Sequence, residues 1–330
     1  MSNNKLEIEI FSAWNTYAIS MMSVLENCGM WHKTDSFQKF MCETGIAAQF
    51  CVDKNCSALP VTDYDWINEH TSFMERIGIQ TAKYYSAPQD PMYSVTQQEA
   101  VQAVKNAIDN KKASVAWGID TGEFGVIYGY DDDHHVFYAK GIGSQNTNSS
   151  LPILYSNLGK TFEYAPVLYC EIPVSSYDVD KNQAFINFLK IYVQEMKRIS
   201  DTPERAYGFA AYDMLIDAVK EKTANEFGLR YCAGIYYERK DATLIYLSER
   251  KKEDSGSLLS RLIDSFQETV RLYRKLMYDI LQEDTEGWNY LSQPIREECY
   301  SKITKVLYEM KLSEIKNVSI AEQILAMYTK

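Results

Sequence analysis

The stretch Ser114–Gly141, SVAWGIDTGEFGVIYGYDDDHHVFYAKG, decides the fold. Three apolar runs follow one another closely: Ser114–Ile119, Phe124–Tyr130 and Val136–Ala139. Runs of this length, rich in β-branched and aromatic residues and bounded by Gly and Asp, predict strands. Asp131, Asp132 and Asp133 mark a turn, because an Asp side chain satisfies nearby backbone amides and tolerates tight dihedrals. Phe124–Ala139 is therefore expected to be an antiparallel hairpin, with Asp131 as a turn former and Tyr130 as a packed ring.

Working towards the N-terminus, Thr96 with Glu99 three residues on forms a capping-box pattern opening a helix over Gln97–Asn110. Gln80–Ser86 predicts a strand. Thr62 marks the start of a helix through Ile77, ended by Gly78. Ala47–Val52 predicts a strand, Phe37–Met41 a short helix and Lys5–Phe11 another strand. Over Asn15–Cys28, Tyr17, Met21, Val24, Leu25 and Cys28 share one helical face. Asn15 or Thr16 can cap that helix, and Gly29 stops it.

Towards the C-terminus, Gly141–Ser150 reads as a polar loop and Val167–Ile172 as a last strand. Beyond Pro173 helical spacing dominates: Ala184–Ser200, Ala206–Phe227, Ser257–Leu281, Pro294–Leu312 and Ile320–Lys330. The charged stretch Glu238–Lys252 predicts a turn between helices, with a strand over Ala242–Leu247 as the alternative. The expected organisation is an α+β domain over residues 1–175 and an all-α domain over residues 180–330.

The chain of 330 residues carries 45 acidic and 34 basic side chains, a net charge of −11. That balance disfavours nucleic acid as a partner, because phosphate recognition needs a basic surface. It also disfavours an anionic membrane surface. No stretch is long and apolar enough to predict a membrane span, and the first residues lack the apolar core of a signal peptide, so a cytoplasmic location is expected. Seven cysteines, an odd number, are then expected to be free thiols. Cys51 and Cys56 form the only close pair and lack two further ligands at zinc spacing, so no metal or other cofactor is expected.

The hairpin resembles that of papain-like cysteine peptidases, in which a strand of the form H-A-V-x-x-x-G-Y-D is followed by a turn and a return strand. Gly129-Tyr130-Asp131 matches the G-Y-D, and Glu123 stands where the His would be. Three further stretches extend the likeness to the butirosin biosynthesis protein H-like family, a papain-like domain followed by a helical one. They are Phe40–Gly45 (FMCETG), the segment Asp65–Gly78 with WINEHTSFMERIG at its core, and Tyr207–Tyr212 (YGFAAY). The resemblance implies a papain-like α+β fold and transfer of an acyl group from a carrier-protein thioester. In active relatives a Cys at the start of the first helix carries the acyl group. A His on the hairpin activates it, and an acidic residue on the next strand orients the His. Thiolate and imidazole suit that work, because a helix N-terminus lowers the thiol pKa and the imidazole holds the ion pair.

This chain departs from the pattern at each point. Asn15 or Thr16 occupies the helix start, no Cys lies between Met1 and Val24, and Lys140 falls near the third position. Glu123 is open to three readings: an exposed strand-end carboxylate, a binding residue in a retained cleft, or a general acid or base. Thr16 reads as a cap, a nucleophile or a binding residue, Asn15 as a cap or a binder of a carbonyl oxygen, and Tyr130, Tyr207 and Tyr212 as core or as pocket lining. His134 and His135 read as a solvated turn, with a metal set of Asp131, Asp133 and His135 as the alternative; His70 reads as a helix-surface residue. Lys190, Lys197 and Arg198 read as a solvated face or a surface for an acidic carrier.

The first functional expectation is a relative with a degenerate catalytic site that binds an acyl or peptide-like small molecule, or a carrier protein. The second is an acyl- or amide-transferring enzyme with Glu123 as base and no covalent Cys intermediate. The third is an interaction protein, with a second copy of the chain as candidate partner.

Overall fold

A computed structural model describes residues 4–120, 122–143, 151–163, 165–200, 202–252, 256–282 and 291–328. The elements run β1 (Asn4–Lys5), α1 (Thr16–Asn27), α2 (Phe37–Glu43), β2 (Cys51–Asp53), α3 (Trp66–Arg76), β3 (Ile79–Ser86) and α4 (Tyr93–Asp109). There follow β4 (Ser114–Ile119), β5 (Glu123–Asp131), β6 (Val136–Lys140), β7 (Leu151–Leu154) and β8 (Leu168–Ser176). Then come α5 (Lys181–Met196), β9 (Arg205–Tyr207), α6 (Gly208–Lys220), α7 (Glu226–Lys251), α8 (Ser257–Arg274) and α9 (Glu297–Tyr328). The chain divides into two compact units, Met1–Phe40 with Trp66–Asp178, and Met41–Asp65 with Val179–Lys330.

The first unit is mixed α/β. Its seven-stranded antiparallel sheet has the order β3-β8-β4-β5-β6-β7, with β1 also paired to β5. The expected hairpin is β5–β6, in register Tyr130 to Phe137 and Asp131 to Val136. Asp131 Oδ1 accepts the amides of Asp133 and His134, which makes it the turn former. Side chains alternate across a strand. One face of the sheet (Ile127, Phe137, Leu168, Cys170) packs on Ala100, Val104 and Ile108 of α4. The other face presents Phe124, Tyr169 and Glu171 to residues of α1 and α3. Helix α1 is buried continuously from Thr16 to Leu25, as a helix enclosed by core must be.

The second unit is mostly helical. It includes Met41–Asp65, which a single cut near residue 175 assigns to the first domain. The reason is pairing. β2 joins β9 in a two-stranded ladder with Cys51 opposite Tyr207, and Arg239 Nη1 donates to the Gln49 carbonyl at 2.9 Å. The Phe50 ring packs 4.5 Å from both Tyr212 and Tyr236. Among the described residues, no helix is long and apolar enough to cross a membrane.

Several elements differ from the sequence expectation. The first strand is only Asn4–Lys5, and the expected Ala47–Val52 strand splits into a 3-10 turn (Ile46–Ala48) and β2. Helix α3 starts at Trp66 rather than Thr62, after another 3-10 turn at Leu59–Val61. Helix α4 begins at Tyr93, a turn before the expected capping box, and Thr96 Oγ1 donates to the Met92 carbonyl instead. The expected Ala206–Phe227 helix is β9 followed by α6, which ends at Lys220. Glu238–Lys252 is no turn; all but its last residue lies in α7. The two expected C-terminal helices are one, α9. The polar loop expected over Gly141–Ser150 lies largely outside the described residues.

Gly228 in the first turn of α7 shows how tightly the second unit closes. A Cβ there would stand 2.1 Å from the Cys56 carbonyl oxygen and 2.6 Å from Ser57 Cα. Gly→Ala in a helix ordinarily gains about 0.5–1 kcal/mol. Here Gly228→Ala is expected to lose about 1–3 kcal/mol, because rigid backbone must move. Urea unfolding of the variant checks the sign, and a gain would mean that the two segments are not in contact.

Candidate functional site

The site lies in the first unit, where the start of α1 meets the start of β5. Asn15 holds the N-cap position of α1, but its side chain makes no capping bond, contrary to the cap expectation. Its carbonyl accepts the Ile19 amide at 3.1 Å. Thr16 is the first helical residue and is not the cap either; its Oγ1 donates to Glu123 Oε2 at 3.0 Å. Asn15 and Thr16 are buried, and Glu123 is half-buried. Glu123 opens β5 opposite Ile119. The turn before it needs Gly122 (φ +83°), because the Phe162 ring lies so close that a Cβ would meet it at 2.3 Å. This turn fixes where β5 starts and so where the carboxylate meets the helix.

Thr16 and Glu123, 107 residues apart in the chain, are therefore in direct contact. A threonine hydroxyl bonded to a carboxylate is a far weaker nucleophile than a thiolate held by an imidazole. The pair is thus suited to binding polar groups and unsuited to the nucleophilic attack that a thiolate–imidazolium pair performs. Lys140, at the third position, donates through Nζ to the Ile8 carbonyl at 3.0 Å. No cysteine lies beside a histidine among the described residues.

Directly behind the pair stands a polar cluster that the sequence reading missed. Tyr17, next to Thr16, donates to Glu171 Oε2 at 3.0 Å, and Tyr169 donates to the same oxygen at 2.5 Å. Glu171 Oε1 takes Thr81 Oγ1 at 2.7 Å and the Lys83 ammonium at 3.0 Å. Lys83 also donates to Thr81 at 2.6 Å and Thr71 at 3.0 Å. The Tyr169 proton is committed to Glu171, so the Tyr169 oxygen accepts from His70 Nδ1 at 2.6 Å. His70 is fully buried, which corrects its expected place on a helix surface. Burial, and then the Lys83 charge, push its pKa well below the usual histidine value, so the ring stays neutral.

Aromatic packing ties the cluster to both halves of the site. The Tyr17 ring stacks on His70 with centroids 3.5 Å apart and a 14° tilt. Phe124, next to Glu123, meets Tyr17 edge-on at 5.3 Å and Trp66 at 5.0 Å. A sequence signal existed: Glu171 interrupts the apolar run LYCEI, where a charge is tolerated only with partners.

The other candidates lie apart from this pair. The Tyr130 hydroxyl donates to Asp109 at 2.8 Å and accepts from Asn4 at 3.0 Å, pinning β5 to α4. It stands seven residues along β5 from Glu123, roughly 23 Å at strand rise. Tyr207 and Tyr212 belong to the second unit. The Arg198 guanidinium covers the Tyr207 ring at 3.9 Å, and Tyr212 is fully buried with its hydroxyl 2.6 Å from that of Tyr273. His134 is exposed and sits 2.9 Å from Asp131, whose carboxyl it holds below the usual range. No group of three His, Cys, Asp or Glu able to hold a metal occurs among the described residues.

No family model matches the chain, and no curated protein matches it.

Proposed function

We propose that the first unit is a papain-like domain related to the carrier-protein-dependent acyltransferases of natural-product biosynthesis, with Thr16 and Glu123 in place of the Cys–His pair. In this reading it binds an acyl or peptide-like small molecule, free or carried on a partner protein, without a covalent intermediate. The observation that carries the reading is the 3.0 Å bond between Thr16 and Glu123. It joins the two positions where a papain-like site brings its nucleophile and base together. The binding role follows from chemistry, since hydroxyl and carboxylate offer a donor and an acceptor at a helix N-terminus but no competent nucleophile.

The test is calorimetric titration with an octanoyl thioester of N-acetylcysteamine. The wild-type chain is expected to bind it saturably and return it unchanged. Thr16→Val and Glu123→Gln are each expected to weaken binding about tenfold, the size of one hydrogen bond to a charged group. Unaltered affinity in both variants would remove the site from the reading. Formation of an amide when an amine is added would convert it to direct aminolysis with Glu123 as base.

A further inference from the structure

The second unit carries a groove of about 670 Å³ between the C-terminal end of α6 and the N-terminal half of α9. Small-molecule sites span about 300–1,000 Å³. Its apolar surface comes from Val219, Leu312 and the rings of Tyr300 and Tyr308. Leu312 is 67% exposed and Tyr308 45%, unusual for large apolar side chains on a helix whose neighbours are packed. Lys305, Tyr308 and Leu312 follow at intervals of three and four residues and so share one face of α9.

Three ammonium groups edge the groove: Lys220, Lys222 and Lys305. Lys220 donates to the Tyr308 hydroxyl at 2.6 Å and lies 4.9 Å over its ring. Lys222 pairs with Glu297 and lies 5.8 Å from the Tyr300 ring. Glu309 also lines the groove, and its charge acts on Arg271 of α8. Lys305 is exposed and has no ion-pair partner among the described residues. The groove thus holds one more cation than anions in a chain whose net charge is −11.

We propose that this groove binds a small anionic amphiphile. Its carboxylate or phosphate head meets Lys305, and its apolar body lies along Tyr308 and Leu312. The distance from Lys305 to Leu312 along α9, about 10 Å at helical rise, suits a medium-length alkyl or an aryl body. The site does not involve Thr16 or Glu123 and does not rest on the role proposed for them.

Calorimetry on the full chain, with ligands below their micelle-forming concentrations, tests this. Decanoate and octyl phosphate are expected to bind one saturable site. Neutral octyl glucoside is expected to bind at least about tenfold more weakly, and inorganic phosphate not measurably. Lys305→Glu and Leu312→Asp are each expected to weaken decanoate about tenfold with unfolding temperature unchanged, whereas Lys251→Glu, an exposed charge of α7 outside the groove, leaves it unaltered. Equal affinity for the neutral ligand, or no effect of either groove variant, overturns the proposal. So does sedimentation with phosphatidylglycerol vesicles in the absence of free-ligand binding, which would mean a bilayer surface. A dimer in light scattering that Leu312→Asp dissociates would mean that a second copy covers the face, and would overturn it too.

Discussion

Glu171→Ala is expected to destabilise the chain by about 3–5 kcal/mol, the cost of leaving a buried charge without its partner. Lys83 has a side chain 8% exposed and loses the carboxylate it is paired with. The hydroxyls of Tyr17, Tyr169 and Thr81 lose their acceptor in the same step. The unfolding temperature is expected to fall by roughly 10 °C at a few degrees per kcal/mol. Pairing the change with Lys83→Met removes the orphaned charge, so the double variant is expected to be more stable than Glu171→Ala alone. Urea unfolding of the four proteins reads the coupling. Strict additivity would mean that the ion pair contributes nothing beyond its separate members.

Thr16→Cys combined with Glu123→His is expected to make the chain react with an octanoyl thioester of N-acetylcysteamine and become acylated. The new thiolate would attack the thioester carbonyl, release N-acetylcysteamine thiol and keep the acyl group as an enzyme thioester. The helix N-terminus lowers the thiol pKa and the imidazole takes its proton, so each single variant is expected to label at least about a hundredfold more slowly. Background at three of the native thiols is low because burial pushes Cys51 up to about 11 and Cys56 and Cys170 to about 12, and the wild-type chain serves as the blank. Intact-mass spectrometry after incubation measures the gain of one acyl group. If the double variant stays unlabelled while folded, the papain-like reading of this corner fails.

The local features were legible in the sequence. The Asp cluster fixed the turn of the β5–β6 hairpin, and the spacing over residues 15–28 located α1. That the helix start, Asn15 or Thr16, meets position 123 was implied only by the family resemblance, and the residues themselves assigned Thr16 the role of a cap. The cluster around Glu171 was not legible, because Tyr17, His70, Lys83, Tyr169 and Glu171 meet only through tertiary packing. The same physics explains the misread helices. Lys240 is 1% exposed and pairs with Glu314, fully buried, at 2.8 Å. Tyr192 donates to that carboxylate, and Asn317 approaches it at 3.3 Å and binds Thr269 at 2.8 Å. Charged and polar residues at those positions suggested a turn in α7 and a break in α9, whereas they are buried core residues grouped around one ion pair.

The allocation of residues 41–65 to the second unit has a consequence for how the protein is made. A ribosome releases the chain from its N-terminus, and the last strand of the first unit's sheet ends at Ser176. At that moment Cys51–Asp53 still lacks its ladder partner, Arg205–Tyr207, which has not been synthesised. The second unit therefore closes only after α9, which ends at Tyr328, has been synthesised. Neither unit corresponds to an uninterrupted stretch of coding sequence, so neither could be passed between genes by a single crossover.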